Sequence, residues 1–132
     1  MNLAIIKEIY QDYEAALKRL KEGVRIEEKK SIIIDGVIQR FEFTFELSWK
    51  LMRAYLGHQG IECNSPRSCI KAAYQFGLIK DGDGWVDMLE DRNKTSYIYD
   101  EKEANTIYKK IKSRYTNLFS LFLQKMKKDL KS

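Results

Sequence analysis

Apolar residues recur every three or four positions at both ends of the chain, which is the period of an amphipathic helix. The first run starts near the N-terminus, and the last begins after Asp100, a candidate N-cap with Glu103 three residues further on. The two apolar stripes are Ile6, Ile9, Tyr13, Leu17 and Leu20, and Ala104, Ile107, Ile111, Tyr115, Leu118, Phe122 and Leu123. This spacing predicts a long helix at each end of the chain.

The central stretch, from about Glu27 to Gly57, is ambiguous because residues 41–47 alternate as a half-buried strand would. Its length favours a helix, since Gly36 is the only breaker in residues 32–56 and a strand that long would be abnormal. Such a helix is apolar on two nearly opposite faces: Phe41, Phe45, Trp49, Met52 and Leu56, and Phe43, Leu47, Leu51 and Ala54. We expect one face to meet the core and the other a second subunit.

Two short helices are predicted between these long ones. Ser65 and Pro66 are typical of a helix start and Gly77 of a helix end, while residues 81–84 form a turn cluster before a second short helix that ends near Asn93. One proline and seven glycines are too few for the turns of a sandwich or barrel. The sequence predicts one domain over residues 1–132, an all-α, antiparallel up-and-down helical bundle of three long and two short helices.

The composition and the N-terminus indicate the cellular compartment of this bundle. The chain is 44% hydrophobic and 33% charged, and no stretch approaches the roughly 18 apolar residues of a membrane span. Its N-terminus becomes charged too early for a signal peptide. We therefore expect a cytoplasmic protein with no membrane partner. Cys63 and Cys69 are expected to be free thiols in that reducing compartment, with a single disulfide as the alternative.

The net charge of +5 is unevenly distributed. Residues 104–132 hold eight basic groups and one acid, whereas residues 81–103 hold eight acids and three basic groups. This polarity indicates a charged partner, either nucleic acid or an acidic protein surface, although solvated faces of a helical protein explain it equally well.

Few residues fit a metal site. Glu42 and Glu46 are four apart, but the chain lacks the Glu-x-x-His pattern of di-iron bundles, so ion pairs with Lys50 or Arg53 are favoured. The aspartates of residues 81–84 lack the spacing of a calcium loop. His58, the single histidine, follows the long central helix, where the helix dipole favours a cation. We expect no metal.

Residues 91–100 combine groups suited to phosphate chemistry. Arginine binds phosphate in a bidentate manner, asparagine orients it, and a tyrosine hydroxyl becomes a nucleophile once a base removes its proton. Composition alone favours a structural interpretation, in which the tyrosines cap one end of the bundle and Asp91 pairs with Arg92.

Residues 36–50, GVIQRFEFTFELSWK, resemble the signature of the nucleotidyltransferase substrate-binding protein family. The resemblance continues in order through SPR at 65–67, GLI at 77–79, Trp85 with Met88, and DRN at 91–93. This family belongs to the HEPN superfamily of helical bundles, whose members are typically dimers paired with a separate minimal nucleotidyltransferase (MNT). The resemblance implies a HEPN-like homodimer with such a partner, and it implies that ATP and Mg²⁺ bind the partner while this chain binds no cofactor.

Many HEPN proteins are metal-independent ribonucleases with an R-x4-H motif, extended to R-x4-H-x-Y in MNT-paired toxins. The resemblance places Arg92, Tyr97 and Tyr99 at these positions, with Tyr97 in place of the histidine. A phenol has an ordinary pKa near 10 against about 6.5 for imidazole, so Tyr97 is a poor base at neutral pH. We therefore assign no catalytic residue, and we expect Arg92, Asn93 and Tyr97 to bind nucleotide or RNA.

Tyr99 falls where MNT-paired toxins receive adenylate from ATP. The first interpretation is a non-catalytic substrate-binding subunit that is itself the adenylate acceptor at Tyr99. The second is a toxin ribonuclease of a toxin–antitoxin pair with an altered motif, and the third is a dimeric scaffold that neither cleaves RNA nor is modified. We expect the first, with Arg92 facing phosphate in a cleft shared with Asn93, Tyr97 and Tyr99 beside the subunit interface. The basic last helix is expected to contact the partner or RNA through Lys125, Lys127 and Lys128.

Overall fold

Helices make up nearly all of the computed structural model, which describes residues 2–28, 30–98 and 100–131. The helices are α1 (Leu3–Val24), α2 (Ser31–His58), α3 (Pro66–Phe76), α4 (Gly82–Lys94), α5 (Glu101–Lys110) and α6 (Thr116–Lys131). A 3₁₀ turn, Thr95–Tyr97, follows α4, and a π-helical turn, Ile111–Tyr115, joins α5 to α6. Because the π-helical turn joins α5 and α6 into one continuous last helix, Glu101–Lys131, the predicted all-α fold with three long and two short helices is confirmed. Among the described residues, no helix is long and apolar enough to cross a bilayer.

Successive long elements run in opposite directions. Gly23 of α1 lies against Val37 of α2, and the Arg40 guanidinium donates to the Arg19 carbonyl oxygen at 2.7 Å, so α1 and α2 are antiparallel. Helix α4 is antiparallel to the last helix. Trp85, near the start of α4, packs on Phe119 and Phe122, whereas Asp91, near its end, contacts the earlier residue Lys110. Helix α3 packs beside the end of α2, where the Tyr55 and Phe76 rings meet. The up-and-down prediction is confirmed.

An aromatic cluster fills the centre of the bundle. The Trp85 ring lies edge-on to Phe119 and Phe122, and the Tyr13 ring packs against the same two residues. The buried Tyr13 hydroxyl donates to the Phe119 carbonyl oxygen at 2.6 Å. Both terminal stripes face this core, and only Ile9 and Leu123 among their residues are half-buried rather than buried.

Helix α2 begins at Ser31, four residues later than predicted, and its second apolar face divides into two parts. Leu51 and Ala54 are buried within the chain's own core, whereas Phe43 is 61% exposed and Leu47 is half-buried. The expectation that this whole face meets a second subunit is therefore wrong for Leu51 and Ala54. The residues that remain available lie toward the middle of the helix.

The predicted caps of α3 are confirmed, but the turn cluster at 81–84 belongs to α4. Ser65 caps α3 through the Ser68 amide, and Gly77 ends it in the left-handed conformation. The Asp81 carboxylate accepts a hydrogen bond from the Gly84 amide at 2.9 Å and is therefore the N-cap of α4. The acidic cluster forms a helix start because an aspartate before a free amide is a favourable cap.

The interpretation of Cys63 and Cys69 as free thiols is wrong, since the structure joins them in a disulfide. Cys63 precedes α3 and Cys69 lies in its first turns, which brings their Cα atoms within 5.1 Å. That separation falls within the range that a disulfide spans. Both residues are buried, so the bond fixes the entrance to α3 against the core.

Candidate functional site

Arg92 lies in the last turn of α4 with its guanidinium directed at α2. Its Nη1 lies 3.6 Å from Glu42 Oε2 and its Nη2 lies 3.5 Å from Glu46 Oε1, and 23% of the side chain is exposed. Its Nε is buried and has no hydrogen-bond partner among the described residues. The expected ion pairing of Glu42 and Glu46 is present, but the partner is Arg92 rather than Lys50 or Arg53. Arg92 therefore faces two carboxylates of its own chain.

Neighbouring side chains hold both carboxylates in place. The Thr95 hydroxyl lies 2.7 Å from Glu42 Oε2 and 2.6 Å from the Arg92 carbonyl oxygen, and it shares its proton between them. On the other side, the Trp49 indole donates to Glu46 Oε2 at 3.1 Å. We call Arg92, Glu42, Glu46 and Thr95 the Arg92 cluster. It joins the end of α4 to the middle of α2 across about fifty residues of sequence.

Behind this cluster, Asp91 is buried and turned the other way. Its carboxylate accepts hydrogen bonds from the Lys110 ammonium at 3.1 Å and from the Tyr115 hydroxyl. Burial, and then the hydrogen bond to Asp91, raise the pKa of Tyr115 well above its ordinary value. The predicted pairing of Asp91 with Arg92 is wrong, because adjacent residues on a helix project in different directions.

Sequence reasoning missed the role of Asp91, although a signal was present. Asp91 follows the buried Met88 by three residues, so it occupies an apolar position of the α4 pattern. A carboxylate at such a position requires partners inside the bundle. The π-helical turn supplies one of them, Tyr115, and the pairing fixes the last turn of α4, which carries Arg92.

The other predicted site residues lie at the surface. Asn93 is exposed on α4, so it does not belong to a loop, and Tyr97 in the 3₁₀ turn is 69% exposed. Tyr99, the predicted modification site, lies outside the described residues. Its neighbours Ile98 and Asp100 line a cavity of about 290 Å³ with acidic walls contributed by Asp35, Asp100 and Glu101. Arg92, Asn93 and Tyr97 do not line that cavity, so the shared cleft that the sequence predicted around them is not seen there.

His58 is too distant from Arg92 to replace the motif histidine within the same chain. It ends α2, twelve residues beyond Glu46, which is about 18 Å along the helix axis. Metal ligation is likewise unsupported by the described residues, which bring no three His, Cys, Asp or Glu side chains together for an ion.

A groove lies between α1 and α2 on the face that carries Phe43. It encloses about 690 Å³ and is lined by small, apolar and charged residues. Its lining consists of Asp12, Ala15, Ala16, Arg19, Gly36, Gln39, Arg40, Phe43 and Leu47. The half of the second α2 face that stays outside the core therefore lies in this groove.

The comparisons with known proteins agree with this fold. The family model described as "Nucleotidyltransferase substrate binding protein like" matches residues 8–128. A Haemophilus influenzae protein named "Probable ribonuclease HepT" is 30% identical over 120 residues, which cover 84% of this chain and 82% of that protein.

Two solved structures are also similar. A Thermus thermophilus protein has a TM-score of 0.76 and 32% identity, covering 91% of this chain and 99% of that one. A Haemophilus influenzae structure is described as revealing the fold of a substrate binding domain of a nucleotidyltransferase. Its TM-score is 0.68 at 26% identity, with 99% of this chain and 100% of that one covered.

Proposed function

This chain belongs to the nucleotidyltransferase substrate-binding protein family, and we propose that it is the non-catalytic partner subunit of a two-component minimal nucleotidyltransferase. The observation that carries the non-catalytic role is the Arg92 cluster. Two carboxylates lie against the Arg92 guanidinium. A ribonuclease with the R-x4-H motif would direct that group at phosphate. In this proposal ATP and Mg²⁺ are bound by the separate nucleotidyltransferase.

The finer part of the proposal is that Tyr99 accepts adenylate from that partner. The Tyr99 phenol oxygen attacks the α-phosphorus of ATP, the bond to the β-phosphate breaks, and pyrophosphate leaves. The phenol proton passes to a base supplied by the transferase or to water. The exposure of Tyr97, two residues earlier, supports access of a partner protein to this part of the surface.

Intact-mass analysis tests both parts. The chain is mixed with its cognate nucleotidyltransferase, ATP and magnesium, and any mass shift is located by peptide mapping. We expect the mass of one adenylyl group on Tyr99, and no gain in a Tyr99→Phe variant, because phenylalanine lacks the attacking oxygen. The matched Tyr97→Phe variant should be modified as the wild type is.

The other outcomes of this experiment separate the proposals. Co-elution without a mass shift would refute the acceptor role and leave a substrate-binding or scaffolding subunit. A chain that neither binds the transferase nor gains mass would refute the partnership itself.

A ribonuclease toxin is the second candidate, favoured by the name of the Haemophilus influenzae relative. Against it stand Tyr97 in the place of the motif histidine and the two carboxylates on Arg92. Incubating RNA with the isolated chain tests this candidate. Cleavage that disappears in an Arg92→Ala variant would establish it, and we expect no cleavage.

We further propose that the protein is a homodimer and that the groove beside Phe43 forms its interface. A bulky aromatic side chain that is 61% exposed beside small residues supports packing against a second helix pair. This uses the middle of α2, as the two-faced pattern of that helix implies once Leu51 and Ala54 are assigned to the core.

A further inference from the structure

A second surface lies at the opposite end of α4 from Arg92. We call it the Tyr74 surface, and it consists of Arg67, Lys71, Tyr74, Lys80 and Lys128. Two hollows of about 490 and 310 Å³ adjoin here, because both are lined by Lys80. Gly82, which begins α4 at this surface, precedes Arg92 by about 15 Å along the helix. The surface is therefore distinct from the Arg92 cluster.

The Tyr74 ring is both fixed and exposed. A Cβ atom built on Gly82 would lie 3.1 Å from Tyr74 Cδ1 and 3.4 Å from its Cγ, so the ring rests against the backbone that begins α4. A side chain at position 82 would require the ring to move by a few tenths of an ångström. Yet 54% of Tyr74 remains exposed, which leaves aromatic surface free for stacking.

Four cations line the two hollows, and three of them, Arg67, Lys71 and Lys80, line the same hollow as this ring. Arg67 and Lys71 precede Tyr74 by seven and three residues and share its face of α3. Within the described part of the chain, Arg67, Lys71, Lys80 and Lys128 make no ion pair within 4.0 Å. Of the two nearby aspartates, Asp81 caps α4 and pairs with Arg114 at 3.6 Å. Among the described residues that line the two hollows, Asp83 is the one carboxylate without an ion pair within 4.0 Å, so the four cations leave the surface positive.

The adjoining hollow adds an apolar component. Leu118, Leu121 and Phe122 line it, and Leu121 is exposed beside Lys128. A ligand for the whole surface therefore combines several spaced negative charges with flat apolar groups. Single-stranded nucleic acid has that chemistry, because phosphates pair with lysine and arginine while bases stack on aromatic rings. An acidic peptide would use the cations but not the fixed ring.

We propose that the Tyr74 surface binds single-stranded nucleic acid. The phosphates lie along Arg67, Lys71, Lys80 and Lys128, one base stacks on Tyr74, and the apolar hollow accepts a neighbouring base. Four neutralised phosphates give a slope of about −3 for the logarithm of the association constant against that of salt concentration. Loss of one cation reduces this slope by about 0.7.

Fluorescence anisotropy of the isolated full chain tests the proposal with a labelled oligouridylate of about 12 nucleotides, a length within known single-strand site sizes. Tyr74→Ala should weaken binding by at least about fivefold, because it removes one stacked base. Tyr74→Phe keeps the ring and should bind as the wild type does. Lys71→Glu should weaken binding and flatten the salt dependence. The matched charge reversal Lys109→Glu, about 28 Å along the last helix from Lys128, should not.

Two further probes distinguish the sources of the ligand. Oligothymidylate bound as tightly as oligouridylate would support recognition of phosphates and bases in any single strand, and tighter RNA binding would support RNA as the natural ligand. Polyglutamate bound equally well, with Tyr74→Ala unchanged, would overturn the proposal in favour of an acidic protein. Oligonucleotide binding that is absent, or equally weakened by Lys109→Glu, would also overturn it. The transferase is not present in these measurements, so their outcome is independent of the modification of Tyr99.

Discussion

Replacing Asp91 by alanine should lower the melting temperature by about 10 °C. Asp91 is a buried carboxylate that binds the Lys110 ammonium and the Tyr115 hydroxyl, and through them it ties the last turn of α4 to the last helix. Its removal leaves Tyr115 with a buried hydroxyl and no acceptor. The change is therefore costly although alanine itself suits a helix.

The magnitude follows from the two contacts. A hydrogen bond to a charged group contributes about 1.5–3 kcal/mol. We take the upper end of this range because the change leaves the Tyr115 hydroxyl buried without its partner. The Lys110 side chain is about half exposed, so its ion pair adds less than about 1 kcal/mol. A total near 3 kcal/mol corresponds to about 10 °C, because the shift equals this free energy divided by the unfolding entropy, which is about 0.3 kcal/mol per kelvin for a domain of this length.

Thermal unfolding followed by circular dichroism measures this effect, and a double-mutant cycle with Tyr115→Phe locates its origin. Asp91→Asn keeps an acceptor of the same size and should lose about half as much stability. The coupling energy between Asp91→Ala and Tyr115→Phe should exceed about 1 kcal/mol, since the two changes remove one shared interaction. A shift below about 3 °C, or additive effects in the cycle, would refute the reasoning.

Three further predictions concern other parts of the molecule. Burial raises the pKa of Tyr13 and Tyr115 above the ordinary value of 10.0, so the folded state retains protons that the unfolded chain releases, and urea midpoints should fall as pH rises above about 10. Midpoints that stay constant there would contradict this assignment. Thiol titration of the unfolded, unreduced chain should detect no free cysteine, and replacing Cys63 and Cys69 by serine should cost about 2 kcal/mol, as a seven-residue loop is released. Phe43→Lys should shift the protein toward monomer in light scattering. Leu3→Lys should not, because it also replaces an exposed apolar side chain by a charged one but lies outside the groove.

Local signals predicted most of the fold. The three-and-four spacing of apolar residues identified the long helices, and Ser65, Gly77 and Asp100 each cap the helix end that the sequence assigned to them. Apolar spacing and helix caps each depend on a few neighbouring residues, so they can be predicted from one sequence. The two-faced pattern of α2 was also correct as a pattern, but it could not tell that Leu51 faces its own core while Phe43 does not. That difference depends on where the other helices pack around α2.

The candidate site was less predictable because its contacts join distant parts of the chain. In the sequence, Asp91 was the apparent partner of Arg92, and only the crossing of α4 over α2 brings Arg92 to Glu42 and Glu46. The π-helical turn that positions Tyr115 has no signature in the apolar spacing, which continues through it without a break. Likewise, Gly82 was interpreted as a turn residue, whereas its lack of a side chain makes room for the Tyr74 ring.

The contact of Tyr13 with Phe119 and Phe122 has a consequence for how the protein is made. These residues belong to the first and last helices, and Trp85 packs on the same two phenylalanines. On the ribosome, Tyr13 and Trp85 are synthesised long before their partners, so the nascent chain cannot complete its core until α6 has left the exit tunnel. Premature termination within α6 would therefore yield an exposed aromatic cluster and a substrate for proteases rather than a shortened, working subunit.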